Sequence, residues 1–212
     1  MKSISLVFLA LTLGPWARAA PEKAEAVVGD VVIWETLQSG EPVLLCDPEE
    51  AVKEATKTIL AGIIIEAPVK SVWEVVTDKE AATEYVKNLK RAEVLERGIE
   101  DGLAYEIIEQ DIKLGLFPVI FTYRLKHELQ PYDRIDFKRT SGDLREAEGY
   151  WRFIPVDEGA RTLLIYQLEI DPGRLIPRPV VRNALRKSLP DALRGVRDRV
   201  AELAELAGSS QD

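Results

Sequence analysis

The feature that most constrains this chain is a run of short alternating segments between residues 92 and 170, each closed by turn residues. Residues 92–97 end in Gly98-Ile99-Glu100-Asp101-Gly102, and residues 104–114 end at Gly115. Residues 118–129 end in Pro131-Tyr132-Asp133, and residues 134–139 in Ser141-Gly142-Asp143. Residues 145–154 end in Asp157-Glu158-Gly159, and residues 162–170 in Asp171-Pro172-Gly173. These connections are too short for helical crossovers, so consecutive strands must pair antiparallel. The isoleucine-rich stretch 59–66 adds a further strand, giving about seven.

Helices flank this meander. After Ala67-Pro68, Val69, Val72, Trp73 and Val76 fall at i, i+3, i+4 and i+7, one face of a helix. Asp78 is placed to cap a second short helix over 80–86, which carries Tyr85. From Val180 to Leu203, apolar residues recur at three- and four-residue spacing, which predicts a long C-terminal helix. Pro190 predicts a kink or restart within it, with Ser188 as the new cap. Towards the N-terminus, Val31-Val32-Ile33-Trp34 reads as a strand, Ser39-Gly40 as a turn and Val43-Leu44-Leu45 as a second short strand. Asp47-Pro48-Glu49-Glu50 reads as the start of a short helix. The class is α+β.

The order of strand, two short helices, six antiparallel strands and long helix is the helix-grip arrangement, and the words match it. The segment from Ile65 to Asp78, IEAPVKSVWEVVTD, resembles the opening of the polyketide cyclase/dehydrase and lipid-transport superfamily. Tyr85-Val86-Lys87-Asn88-Leu89 resembles its second helix and turn. Gly149-Tyr150-Trp151-Arg152-Phe153-Ile154-Pro155 resembles its Gly-x-Trp-x-(apolar)-x-Pro strand, and Arg161-Thr162-Leu163-Leu164-Ile165-Tyr166 the strand that follows. The coenzyme-Q-binding START-type branch is the most similar. The resemblance spans residues 58–207. It implies a START-like curved sheet gripping the C-terminal helix, with an apolar cavity between them for a lipid, quinone, sterol or polyketide. It supplies no universal catalytic residue.

Residues 1–19 have the layout of a secretory signal: Lys2, an apolar run over 4–13, Gly14-Pro15, then Ala17-Arg18-Ala19 as a small-x-small cleavage site. The apolar run is short for a bilayer span. Cleavage after Ala19 leaves 212 − 19 = 193 residues, and residues 20–57 are then an N-terminal extension ahead of the domain, with 208–212 a disordered tail. An export signal without an intrachain disulfide points to the periplasm more than to the extracellular space.

Charge and residue counts narrow the function. The chain has 28 Lys+Arg against 36 Asp+Glu, net −8, which disfavours nucleic acid as a partner. Loss of Lys2 and Arg18 on cleavage takes this to −10. One cysteine, Cys46, and one histidine, His127, leave no thiolate or paired-histidine metal site, and no cofactor is expected. Against this acidity, residues 174–199 hold eight basic groups, including Arg174, Arg178, Arg182, Arg186 and Lys187, and two acids, a local +6. Such a run is either a solvated helix face or a docking edge for an anionic membrane or an acidic protein.

Strand alternation gives the face that turns inward. It contains Phe121, Tyr123, Leu125, His127 and Leu129; Ile135 and Phe137; Ala147, Gly149, Trp151 and Phe153; and Leu164, Tyr166, Leu168 and Ile170. For residues 104–114 both faces carry acids, Glu106 on one and Glu109 and Asp111 on the other. The candidate ligand-contacting set is Trp73, Tyr85, Phe121, Tyr123, His127, Phe137, Trp151, Tyr166, Leu185, Leu189 and Leu193. For each of Trp73, Tyr123, Phe137, Trp151 and Tyr166, core packing is the more ordinary reading, since large aromatics usually fill a core. His127 reads either as a base or head-group ligand, or as a strand-end histidine bonded to a neighbour or to water, with no inward carboxylate assignable to it. Two functions follow: a carrier of a hydrophobic small molecule, or a cyclase, aromatase or dehydratase acting on an apolar carbonyl compound. A third is a protein-interaction module using the basic helix.

Overall fold

The computed structural model describes residues 24, 28, 30–45, 58–113, 119–173 and 178–209. The signal-like segment, Cys46, the helix expected at Asp47–Glu50 and Arg174 lie outside the described residues. In chain order the elements are α1 (Val31–Gln38), β1 (Val43–Leu44), β2 (Thr58–Ile65), α2 (Val69–Thr77) and α3 (Ala82–Tyr85). There follow β3 (Leu89–Glu100), β4 (Leu103–Lys113), β5 (Ile120–Gln130), β6 (Arg134–Gly142), β7 (Glu146–Val156), β8 (Arg161–Asp171) and α4 (Arg178–Ser209).

The strands form one open, curved antiparallel sheet of eight, in the order β1-β2-β8-β7-β6-β5-β4-β3. The meander runs β3 to β8 as expected. The eighth strand is β1, the short segment at Val43, which pairs with β2 through Val43 opposite Gly62. The β3–β4 turn is tighter than the sequence suggests. Only Asp101 and Gly102 turn, with φ 49° and 82°, the two positive values of a type I′ hairpin. β3 is the far edge of the sheet, and its pairing with β4 is broken by register shifts at Leu89/Arg91 and Val94/Glu96.

Two apolar layers cover the sheet. On the inner face α4 and α2 pack over Ile63, Phe121, Leu125, Ile135, Phe153 and Leu164, through Val72, Trp73, Leu185, Leu189 and Leu193. On the outer face, Ile64, Ile154, Val156, Leu163 and Ile165 form a second cluster with Leu37 and Ala24. The N-terminal segment is therefore part of the packed fold.

Two expectations are corrected and one left open is settled. Val31-Val32-Ile33-Trp34 is helical. The Asp30 carboxylate accepts from the Val32 and Ile33 amides at 2.8 and 3.1 Å, and this cap starts a helix in spite of the β-branched run. Ile33 and Leu37 then share a face against the sheet, so tertiary burial overrides local propensity. The C-terminal helix runs unbroken through Pro190 to Ser209. Ser188 does not cap a restart; its hydroxyl lies 3.5 Å from the Leu185 carbonyl. Buried Leu185, Leu189, Ala192, Leu193 and Val196 hold both turns on the sheet, which offsets the donor that proline lacks. Finally, β4 is resolved: Glu109 and Asp111 face outward, where Arg91 and Arg124 pair with them. Glu106, Ile108, Gln110 and Ile112 therefore face in, Ile108 fully buried.

Candidate functional site

Between the sheet and α4 lies a cavity of about 150 Å³, roughly ten times the room one water needs. β5, β7 and β8 provide one wall, with Tyr123, Leu125, His127, Trp151, Tyr166, Leu168 and Ile170. α4 provides the opposite wall with Leu185, Leu189, Ala192 and Val196. Val76, Lys79 and Tyr85 reach in from the α2–α3 region, and Gln110 and Ile112 from β4. Exposed Lys87 and half-buried Val86, Asn88, Ser188 and Asp191 border it where it meets solvent.

Of the candidate contact residues, Tyr85, Tyr123, His127, Phe137, Trp151, Tyr166, Leu185 and Leu189 line this space. Trp73, Phe121 and Leu193 do not. Trp73 packs against Phe153 and Tyr132 at ring separations of 5.0 and 5.7 Å, and Phe121 and Leu193 are filled core. Alternation identifies an inward face but does not distinguish packing from lining, which depends on where α2 and α4 sit.

The aromatic wall is closely packed. Trp151 and Tyr166 stack at 3.7 Å with planes 7° apart, and Phe137 lies 6.2 Å from Tyr166 and 5.5 Å from His127. Gly149 makes this possible. A Cβ there would lie 2.7 Å from the Phe137 ring and 2.1 Å from the Gln167 carbonyl oxygen. The Tyr123 hydroxyl donates to Gln110 Oε1 at 3.1 Å, and the Tyr85 hydroxyl to the Val75 carbonyl at 2.8 Å. Burial pushes the pKa of Tyr85, Tyr123 and Tyr166 up, so all three are neutral phenols at ordinary pH.

Two ionisable groups interrupt the apolar lining. Lys79 is 6% exposed, and its ammonium donates to the Val76 carbonyl at 2.7 Å. Burial pushes its pKa down to about 8, against the raising influence of Glu106 and Asp78. His127 is 4% exposed, and neither ring nitrogen has a hydrogen-bond partner among the described residues. Burial, reinforced by the Lys79 charge, holds its pKa well below 6.5, so the ring is neutral at pH 7. His127 thus sits inside β5 rather than at a strand end, with no hydrogen-bonded neighbour among the described residues. A carboxyl stands directly across from it, since Glu106 is its register partner on β4. Glu106 Oε1 pairs with Arg97 at 3.0 Å, while Oε2 is buried without a partner among the described residues.

Lys79 and Gln110 escaped the sequence reading, which named Glu106 but left its face open. Lys79 lies in Asp78-Lys79-Glu80, which reads as a surface turn. The β4 residues had a usable signal: positions 106, 108, 110 and 112 carry two isoleucines, whereas 109, 111 and 113 are all charged.

The basic run on α4 is partly engaged within the molecule. Arg197 donates to the Gly40 carbonyl at 2.8 Å, and Arg194 and Arg197 both pair with Glu41, tying residues 40–41 to the helix. Arg199 pairs with Glu84 and Glu202. Lys187 is exposed and Arg186 half-buried, on the stretch nearer the helix start. Among the described residues no cluster of His, Cys, Asp and Glu could hold a metal, and no helix is long and apolar enough to cross a membrane.

Residues 65–197 match the family model described as polyketide cyclase/dehydrase and lipid transport. A Thermus thermophilus protein of solved structure is similar, with a TM-score of 0.61 and 21% identity, over 69% of this chain and 98% of that one. The Zhui aromatase/cyclase from a Streptomyces species gives a TM-score of 0.61 at 20% identity, over 71% and 97%. A STAR-related lipid transfer protein from Xanthomonas axonopodis gives 0.58 at 16% identity, over 70% and 89%. At these identities the likeness is one of fold. No curated protein matches the chain by sequence.

Proposed function

The chain belongs to the polyketide cyclase/dehydrase and lipid transport family, and from that membership we propose that it carries a hydrophobic small molecule in the cavity between sheet and α4. The observation that carries this reading is the lining: a largely apolar wall of Leu125, Trp151, Tyr166, Leu168, Ile170, Leu185 and Leu189, with the charged and amide groups gathered at its mouth and at Lys79, His127 and Gln110. Each CH₂ moved from water into such a space gains about 0.8 kcal/mol, so a sixteen-carbon chain gains on the order of 12 kcal/mol gross. Association costs of about 4–15 kcal/mol offset much of this. Exchange with a bilayer is nearly neutral for the tail, which suits a shuttle.

The sequence of residues 1–19 supports a periplasmic site of action, and the basic start of α4, with Arg186 and Lys187, is the surface we assign to contact with an anionic membrane. The experiment is extraction and mass spectrometry of the exported protein, followed by uptake of a fluorescent lipid from anionic vesicles at low and high salt. We expect a mature N-terminus near Ala20, a co-purified apolar molecule and salt-sensitive uptake. An empty protein that takes up no lipid would refute the carrier reading.

A second reading, a cyclase or dehydratase acting on an apolar carbonyl compound, has one observation in its favour: Lys79 and His127 face the same cavity. Loss of water from a bound carbonyl compound, read by mass, and abolished in His127→Phe, would establish it in place of simple carriage.

A further inference from the structure

We propose that Lys79 and His127 together seat the carboxylate head of an amphipathic acid, whose apolar remainder lies along Trp151, Tyr166, Leu168 and Leu189. The inference rests on the reading of the cavity as an apolar-ligand site and names the class of ligand it takes.

The argument is one of unmet bonding in a buried place. An ammonium has three donors, and among the described residues the only acceptor of Lys79 Nζ is the Val76 carbonyl. Of the two acids that act on it, Glu106 pairs through Oε1 with Arg97 and Asp78 Oδ1 accepts from the Ala81 amide. Neither stands within ion-pair distance of Lys79 among the described residues, so the ammonium faces the cavity with no carboxylate in contact with it. Buried charge of this kind is costly unless it is paired. His127 lines the same cavity, nine-tenths and more buried, with both ring nitrogens unpartnered. Buried polar groups are rarely left so. As a neutral ring it offers one N–H.

A carboxylate supplies what both lack. One oxygen accepts from the ammonium and the other from the imidazole N–H, and the negative charge neutralises Lys79. A ketone, quinone or alcohol oxygen would accept a hydrogen bond but leave the charge uncompensated. The site therefore discriminates by charge at one corner and by shape along the rest of the cavity.

The test is titration calorimetry of the full-length mature protein with lauric acid and with dodecanol at pH 7, which share a twelve-carbon chain. We expect the acid to bind at least tenfold more tightly. Lys79→Met should abolish this preference, and His127→Phe should reduce it. Equal affinity for acid and alcohol in the wild type would overturn the head-group assignment and leave the apolar site standing. Binding of neither would overturn both. The wild-type comparison needs no variant to fold. A preference that persists in Lys79→Met would also overturn the proposal.

Discussion

A histidine that the fold keeps neutral makes stability depend on pH in a definite direction. The His127 pKa lies well below 6.5 in the folded protein and near 6.5 once unfolded. Below about pH 6.5 the unfolded chain takes up a proton that the folded one refuses, so stability falls as pH falls through that window. His127→Phe removes the linkage. We expect urea denaturation of the two proteins to diverge below pH 6.5, by up to about 1.4 kcal/mol per pH unit in favour of the phenylalanine variant. Parallel curves would show that His127 titrates alike in both states. The sequence showed that His127 turns inward, because alternation along β5 needs only the neighbours Phe121, Tyr123 and Leu125. It did not show that Lys79 lines the same cavity. That depends on how the residues after α2 pack, and nothing local in Asp78-Lys79-Glu80 marks it.

Elements set the size of the cavity through close approaches that only glycine allows. α4 meets the end of α3 at Gly195, where a Cβ would stand 2.3 Å from the Tyr85 carbonyl oxygen. That oxygen is backbone and cannot swing away, so Gly195→Ala must push the helix off α3. We expect a loss of about 1–3 kcal/mol, typical of overpacking, measured by thermal or urea denaturation. Since Tyr85 and Val196 both line the cavity, ligand uptake should change with it. The existence of α2, the meander and α4 was legible from period alone, since 3.6- and 2-residue repeats of apolar residues are long here. The errors fell where a local signal competed with burial. Val31-Val32-Ile33-Trp34 has strand propensity but gains a cap from Asp30 and a surface to pack on. Pro190 weakens α4 locally, yet Leu189 and Leu193 on either side of it are almost fully buried.

At the scale of the whole molecule, the sheet is covered on its inner face and, over β2, β8 and β7, on its outer face, and the two covers come from opposite ends of the chain. The inner one, α4, closes the cavity. The outer one, around Leu37, hides Ile64, Ile154, Leu163 and Ile165 from water. The family match begins only at residue 65, so this outer cover lies beyond it. Leu37 is fully buried, and we expect Leu37→Ala to cost about 2–5 kcal/mol by denaturation. A negligible loss would mean that residues 30–45 only rest on the sheet. The arginines of α4 that tie down Gly40 and Glu41 couple the two covers, since Arg197 belongs to one and its acceptor to the other.

The register shifts in β3 have a consequence of another kind. An open sheet has a last strand, and a long last strand is a template on which other molecules can polymerise. β3 is twelve residues long and forms that edge. Its two irregularities break the regular spacing that an incoming strand would need, and Lys90, Arg91, Glu93, Glu96, Arg97 and Glu100 place charges of both signs along it. A molecule that leaves one rim of its sheet open is thus kept from growing into a fibre by the same small defects that curl this rim.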